Sequence, residues 1–297
     1  MDNNCVAFMF DEIRYELNGV EIDRNRNVGI ISSIKNFVSL TTERSRKLQN
    51  AGWIVINEYV GPRSRTKIGD FNFCVPLNVL LGFCEDYKHV VINARHELIL
   101  IRSRTDANCI VRKPERHKNP TITLLKVQWR MPHVVLNDVN KLSLLRTLES
   151  GRYLSMGFRS WDLYAYSLLQ TTNRHLWAVK SATQLEEPRY VIFALQTGKS
   201  NNLLKHASEF DDGNLTNVKL YLNSDFYPYD DMNLDFEKRR TAILYEMYAK
   251  FQKSYYGCER ENALKFDALS LYIKISCDNV GKTGTYNLYI LKFHVIM

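Results

Sequence analysis

The sequence predicts an all-β protein built from two consecutive β units of similar size with a few short helices, and three observations predict it. Short runs that alternate apolar and polar residues, bounded by turn residues, recur along the whole 297-residue chain. Seventeen Tyr and fourteen Phe stand against thirteen Gly and seven Pro, and aromatic rings fit a half-buried pleated surface. The period changes from that of a strand to that of a helix around residues 137–155, which divides the strands into two series.

In chain order, FMFDEIRYELNGVEI (residues 8–22) is a strand, an Asn18-Gly19 turn and a second strand, the commonest short hairpin signal. FNFCVPLNVLLGF (71–83), HVVINARHELILIRS (89–103) and TITLLKVQWRMPHVVL (121–136) continue the series. The second of these sets Val91, Asn93, Arg95 and Glu97 against Ile92, Ala94, His96 and Leu98, one wet face and one mostly buried one. DVNKLSLLRTLESGR (138–152) places Leu142, Leu145 and Leu148 at helical spacing before Ser150-Gly151, so a short connecting helix marks the boundary between units 1–150 and 151–297. Six further strands are expected, within residues 153–169, 175–184, 188–198, 217–223, 268–276 and 286–296. A helix near 237–256 is inserted among them, its stripe of Ile243, Leu244, Met247, Tyr248, Phe251 and Tyr255 facing the core. Of these, Leu244, Met247, Tyr248 and Phe251 are expected to make the packing contact.

A net charge of +8 and a pI near 9.1 come from cations scattered along the chain, which is the pattern of a solvated surface and is compatible with non-specific nucleic-acid contact. Cys5, Cys74, Cys84, Cys109, Cys258 and Cys277 form no C-x-x-C pair in a chain this long, so a reducing compartment is expected. The N-terminus carries Asp2 where a signal peptide has positive charge, and no segment approaches the roughly 18 uninterrupted apolar residues of a membrane span. The expected protein is soluble and not secreted, with the sequon Asn214-Leu215-Thr216 unglycosylated.

No catalytic, cofactor or metal site emerges. Gly281-Lys282-Thr283 matches the end of a phosphate-binding loop, but Ser276 stands where its first glycine belongs and a strand follows where a helix should. His96-Glu97 begins like a zinc-protease helix, yet its period is two and residue 100 is Leu. His89, His117, His133, His175, His206 and His294 share no ligand spacing. The acids Asp225, Asp230, Asp231 and Asp235 lack the glycine and terminal glutamate of a calcium loop. Asp235 instead stands where it could cap the following helix.

Taken together, residues 71–103, ITLLKVQWRMPHVVL, FRSWDLYAYSLL, HLWAVKSATQLEEPRYVIFALQT and NLTNVKLYLNSDFYPYDDMNLDF resemble the double jelly-roll major capsid proteins of large-DNA-virus and Polinton-like lineages, as found integrated in arthropod and other invertebrate genomes. The resemblance spans nearly the whole chain and rests on the order of its phrases: Val75-Pro76-Leu77 in the first jelly roll, and Leu176 to Thr183 followed by Tyr221-Leu222-Asn223 in the second. It implies two jelly-roll sandwiches per chain, homotrimers closing into pseudo-hexagonal capsomers, and other capsid proteins as partners. Location follows from it: the virion for a virus, otherwise the cytoplasm or nucleus. FMFDEIRYELNG resembles the third or so strand of the first jelly roll, and FHVIM ends directly after a strand. The resemblance therefore implies a shortened, endogenous viral copy with an incomplete first jelly roll and an exposed sheet edge. The alternative, from a different class, is a host-domesticated sandwich that binds nucleic acid or glycans. Under either, elemental analysis of the purified chain is expected to find no stoichiometric metal; a metal at one equivalent would overturn the reading of the histidines.

Overall fold

The computed structural model describes residues 1–54, 70–112, 120–152, 155–167, 169, 172–178, 189–222, 224–257 and 286–296. In chain order the elements are α1 (Cys5–Phe8), β1 (Phe10–Leu17), β2 (Val20–Arg26), α2 (Val28–Ser39), α3 (Thr42–Lys47), α4 (Gly82–Asp86), β3 (His96–Arg102), α5 (Asp138–Glu149), β4 (Phe158–Tyr166), β5 (Tyr190–Thr197), β6 (Leu220–Leu222), β7 (Asp225–Tyr227), α6 (Ala242–Tyr256) and β8 (Tyr286–Ile296). They form an antiparallel sheet ordered β2-β1-β3, a second ordered β4-β8-β5, and a hairpin of β6 and β7.

The first sheet grows from the Asn18-Gly19 turn. Both residues sit at positive φ, 52° and 76°, which gives the turn the twist that two-residue hairpins need. Along β1, Ile13, Tyr15 and Leu17 are buried, while the Arg14 and Glu16 side chains pair with each other at 3.0 Å. The buried face packs on Trp53, Val79, Leu80, Leu81 and Phe83, and on Phe158 from beyond the connecting helix.

The second sheet is organised by β8, which lies between β4 and β5. Tyr289, Ile290 and Leu291 are all buried in succession, as expected of a central strand covered on both faces. Its core, with Trp161, Tyr255, Tyr289 and Leu291, is completed by Ile31 and Ile34 from α2. Val28 of the same helix belongs to the first core, so α2 lies between the two sheets.

Helix α2 was not foreseen, although its pattern is helical: Ile30, Ile31, Ile34, Phe37 and Val38 recur at helical spacing, and Ser32, Ser33, Asn36 and Ser39 form a second, polar stripe. That polar stripe is buried along with Val28, Ile31 and Ile34, so it does not mark a solvent face. The expected strand over 71–83 is also corrected. That stretch forms a short 3-10 turn at Leu77–Val79 followed by α4, because side chains claim its backbone groups: Lys35 Nζ donates to Asn78 O at 2.8 Å, Asn25 Nδ2 to Leu80 O at 2.8 Å, and Phe83 N to Asp23 Oδ2 at 2.8 Å. A ladder cannot form where carbonyls and amides are already bonded.

Residues 121–136, expected as a strand, run without regular secondary structure. The connecting helix is present as α5, with the Asn137 side chain accepting from Asn140 N at 2.9 Å and no residue buried. The helix expected from 237 starts at Ala242. Before it, residues 235–240 close a tight turn in which Asp235 Oδ1 accepts Lys238 N at 2.9 Å and Arg240 N donates to Asp235 O at 2.7 Å. Asp235 thus caps that turn and not the helix. The buried face of α6 is Tyr248, Ala249, Gln252 and Tyr255, with Phe251 half-buried and Met247 exposed, a rotation away from the expected contact at Leu244 and Met247. Gln252 Nε2 reaches across to Val38 O at 2.6 Å and ties α6 to the end of α2. Residues 175–178 are not in a strand, and the strands expected at 179–184 and 268–276 lie outside the described residues. Among the described residues, no helix is long and apolar enough to cross a membrane.

Burial raises the pKa of Asp23 to about 6 from 3.8, only partly offset by the amides of Phe83 and Arg24. The folded state therefore holds this proton more tightly than the unfolded chain. The stabilisation is complete below pH 3.8 and is lost as pH rises through about 6. Asp23→Asn keeps an acceptor for Phe83 N and removes the titration. The stability of the natural chain relative to Asp23→Asn is expected to fall by about 2 kcal/mol between pH 4 and pH 7. Denaturant midpoints measured across that range check it, and a pH-independent difference would overturn it.

Candidate functional site

A dense polar cluster joins α2, α4, β4 and α6. Helix α4 contributes Glu85 and Asp86, α2 contributes Lys35, β4 contributes Arg159 and Trp161, and α6 contributes Tyr255 and Tyr256. Asp86 grips Arg159 at three points: Oδ2 accepts from the backbone N at 2.9 Å and from Nε at 2.7 Å, and Oδ1 accepts from Nη2. The remaining guanidinium nitrogen, Nη1, donates to Tyr255 O at 2.6 Å, and the planar group lies 3.7 Å from the centroid of the Tyr255 ring. Burial works against the charge of Arg159, but Asp86 more than compensates and holds its pKa above the ordinary value.

Glu85 is the second anchor. Lys35 Nζ approaches Glu85 Oε2 at 3.1 Å and lies 4.3 Å from the centroid of the Trp161 ring. Tyr256 OH donates to Glu85 Oε1 at 2.7 Å and Tyr255 OH to Glu85 Oε2 at 3.3 Å, while Trp161 Nε1 donates to Tyr255 OH at 3.3 Å. Burial drives the pKa of Lys35 down, with Glu85 opposing the shift. Burial raises both phenols, and the neighbouring Glu85 carboxylate raises them further. These shifts keep the tyrosines as neutral donors. Their chemistry is that of a clasp: each anion faces a cation and hydroxyl or amide donors, in a geometry that fixes four elements at once.

A second cluster lies where the N-terminal residues meet the loop after β5. Asp2 is almost fully buried, its Oδ1 facing His206 Nδ1 at 2.8 Å and its Oδ2 accepting from Ser208 N at 3.3 Å. The bond to Asp2 raises the pKa of His206, against a smaller opposing effect of burial. Nearby, Lys199 Nζ pairs with Asp211 Oδ1 at 2.9 Å, and Asp211 Oδ2 accepts from Thr197 N at 2.6 Å.

The residues singled out from sequence are dispersed. His96 Nδ1 meets Tyr15 OH at 2.6 Å, and Glu97 pairs with Arg95 at 2.8 Å. Asp231 binds Lys219 at 2.8 Å and Asn217 Nδ2 at 2.8 Å, and Asp225 and Asp230 are exposed. Among the described residues, no group of three or more His, Cys, Asp or Glu is placed to hold a metal ion. Cys5, Cys74, Cys84 and Cys109 are free thiols. Burial pushes Cys5 and Cys109 up to about 12 and Cys84 up to about 11, the opposite of an activated nucleophile. The Gly281 loop, His117, Cys258 and Cys277 lie outside the described residues.

Sequence reading missed the clasp altogether. The available signals were a lysine set among the apolar residues of VGIISSIKNFVS and an adjacent acid pair closing GFCED. Neither specifies its partner, because the bonds join residues 50 (Lys35 to Glu85) to 171 positions apart.

A family model for the double jelly-roll-like domain matches residues 1–288. The chain belongs to the double jelly-roll-like domain family. Among curated proteins and among solved structures, none matches. In this double jelly-roll-like chain, the clasp spans both three-stranded sheets: its anions follow the turn that packs on β1, and its arginine lies on β4.

Gly82 makes the close approach possible. A Cβ placed there would stand 1.7 Å from Arg159 O, so even a methyl group forces α4 away from β4. Gly82→Ala is expected to destabilise the fold by about 1–3 kcal/mol, the usual range for overpacking. Chemical denaturation would measure this, and an unchanged midpoint would show that α4 and β4 do not meet as closely as described.

Proposed function

We propose that the chain is a capsid-type structural subunit with no catalytic role, three copies of which close into a pseudo-hexagonal capsomer that tiles a viral shell. The observation that carries this reading is membership of the double jelly-roll-like domain family over residues 1–288. The clasp agrees with it. A shell subunit must transmit load between its parts without deforming, and a partly buried ionic network between two sheets resists relative sliding because each bond is directional.

The same reading takes the lineage from the order of strand phrases along the chain: a Polinton-like or large-DNA-virus capsid protein carried as an endogenous copy in an invertebrate genome. Its partners would be copies of itself and other capsid proteins, and its location the virion. The net charge of +8 favours a second reading, a host-domesticated sandwich that binds nucleic acid. That reading requires DNA affinity that falls steeply with salt.

Sedimentation of the purified chain at micromolar concentration separates the two. The capsomer reading expects a species of three times 34.7 kDa and weak, sequence-indifferent DNA binding. A strict monomer with tight, salt-sensitive DNA binding would replace it with the second reading.

A further inference from the structure

Two surfaces of opposite character lie exposed on this chain. The first is the extended run 121–136. Its side chains at Leu125 (84% exposed), Val127 (57%), Val134 (59%) and Val135 (96%) are open to solvent, and Lys126 and Arg130 are exposed among them. The stretch contains no acidic residue. Among the described residues its backbone is held at one end, where Ile122 N donates to Asp106 Oδ2 at 2.7 Å, and Trp129 meets the Tyr15 ring edge-on at 6.4 Å. So much contiguous exposed apolar surface on an extended backbone marks an interaction site.

The second surface is the β6–β7 hairpin with the residues after it. Tyr221, Tyr227 and Tyr229 are 59%, 45% and 64% exposed. Their rings form a chain of contacts: Tyr221 on Phe226 at 5.8 Å, Phe226 on Tyr229 at 6.0 Å, and Tyr229 on Tyr227 at 5.3 Å. Around these rings stand three acids. Asp231 is neutralised by Lys219, while Asp225 and Asp230 are exposed and form no ion pair among the described residues. The hairpin therefore presents preorganised aromatic faces with a net negative rim. Tyrosines suit such a role because they bury large area while losing little conformational freedom.

We propose that the hairpin of one copy docks on the 121–136 run of a second copy, with Asp225 and Asp230 set against Lys126 and Arg130 and the tyrosine rings covering Leu125 and Val127. The occupant is a second copy because each chain carries both complementary halves and neither covers the other within the chain: both remain exposed. A chain of net charge +8 repels its own copies at long range, so an interface between copies needs local charge opposition of this kind. The contact is heterologous, joining unlike surfaces head to tail, and such contacts close into rings when the rotation between copies permits. This inference rests on the capsomer reading and supplies the surfaces that would close its trimer.

Three variants of the full chain test it: Lys126→Glu with Arg130→Glu, Asp225→Lys with Asp230→Lys, and all four together. Near-ultraviolet circular dichroism reports that each is folded, and sedimentation across a concentration series reports association. Each paired reversal is expected to raise the trimer dissociation constant at least about tenfold. The fourfold variant, whose charges are again opposed, should return to within about threefold of the natural chain. Carbodiimide coupling of the natural chain, mixed from isotope-labelled and unlabelled protein, gives a readout that needs no variant and should join Lys126 of one copy to Asp225 or Asp230 of another. A natural trimer that is indifferent to the reversals and yields no such cross-link would overturn the assigned surfaces and leave the capsomer reading standing. A natural chain that stays monomeric overturns both.

Discussion

The structure depends on the grip of Glu85 and Asp86 on Lys35 and Arg159. Taking four charges out of water is expensive, and an apolar replacement of the same shape often stabilises a protein as well or better. What the ionic version adds is specificity of arrangement. Asp86 accepts from both the backbone N and the side chain of Arg159, so β4 can meet α4 in one register only. The Arg159 guanidinium then covers the Tyr255 ring, which fixes the end of α6 to the same point. Apolar packing alone tolerates slippage between such elements; a carboxylate that accepts at once from a backbone amide and from two guanidinium nitrogens does not.

From this constraint the position of α2 follows. Lys35 must reach Glu85 and the Asn78 carbonyl together, which sets both the depth and the rotation of its helix. With that rotation, Val28 falls into the first core, and Ile31 and Ile34 into the second. The same rotation buries Ser32 and Ser33, which in turn accommodate Asn4: its Nδ2 lies 3.1 Å from Ser33 Oγ and also bonds Ser32 Oγ. One buried cation thereby places a helix between two sheets and seats the N-terminal turn on it. Phe8 completes that seat, its ring lying where a side chain at residue 29 would stand.

What could be read from the sequence was whatever has a local cause. The Asn18-Gly19 hairpin, α5 between Asn137 and Ser150, and the strands β4 and β5 are each specified by residues a few positions apart: two residues tolerant of positive φ, a capping side chain, and short runs rich in aromatic and branched apolar residues. The elements that escaped are those whose cause lies elsewhere in the chain. The run FNFCVPLNVLLGF has the composition of a strand, yet Lys35, Asn25 and Asp23 occupy its carbonyls and amide and turn it into helical pieces. VGIISSIKNFVS carries an apolar stripe at helical spacing, but its polar stripe is buried as well, by partners such as Asn4 that lie elsewhere in the chain. The stripe on α6 was legible, but which part of it is covered was not. Tyr255 and Gln252 are drawn inward by Glu85 and the Val38 carbonyl, which turns Met247 outward. The clasp, the element most tied to the proposed role, is the least local feature of all.

This distribution of causes bears on how such a subunit could assemble. The interior around the clasp is fixed by directional bonds, whereas among the described residues the exposed run 121–136 and the hairpin at 220–227 have few linking them to the rest of the fold. A surface held so lightly costs little to reshape on contact, and one that presents apolar groups gains most of its free energy from being covered. The rigid part and the adaptive part are therefore assigned to different residues. If copies associate as proposed, variation at Leu125, Val127, Tyr227 or Tyr229 would tune that association without touching the network that sets the relation between the sheets. The converse does not hold. Loosening Arg159 from Asp86 would let β4 shift against α4, and because β4 carries β8 and β5 with it, the disturbance would reach every surface that the second sheet supports.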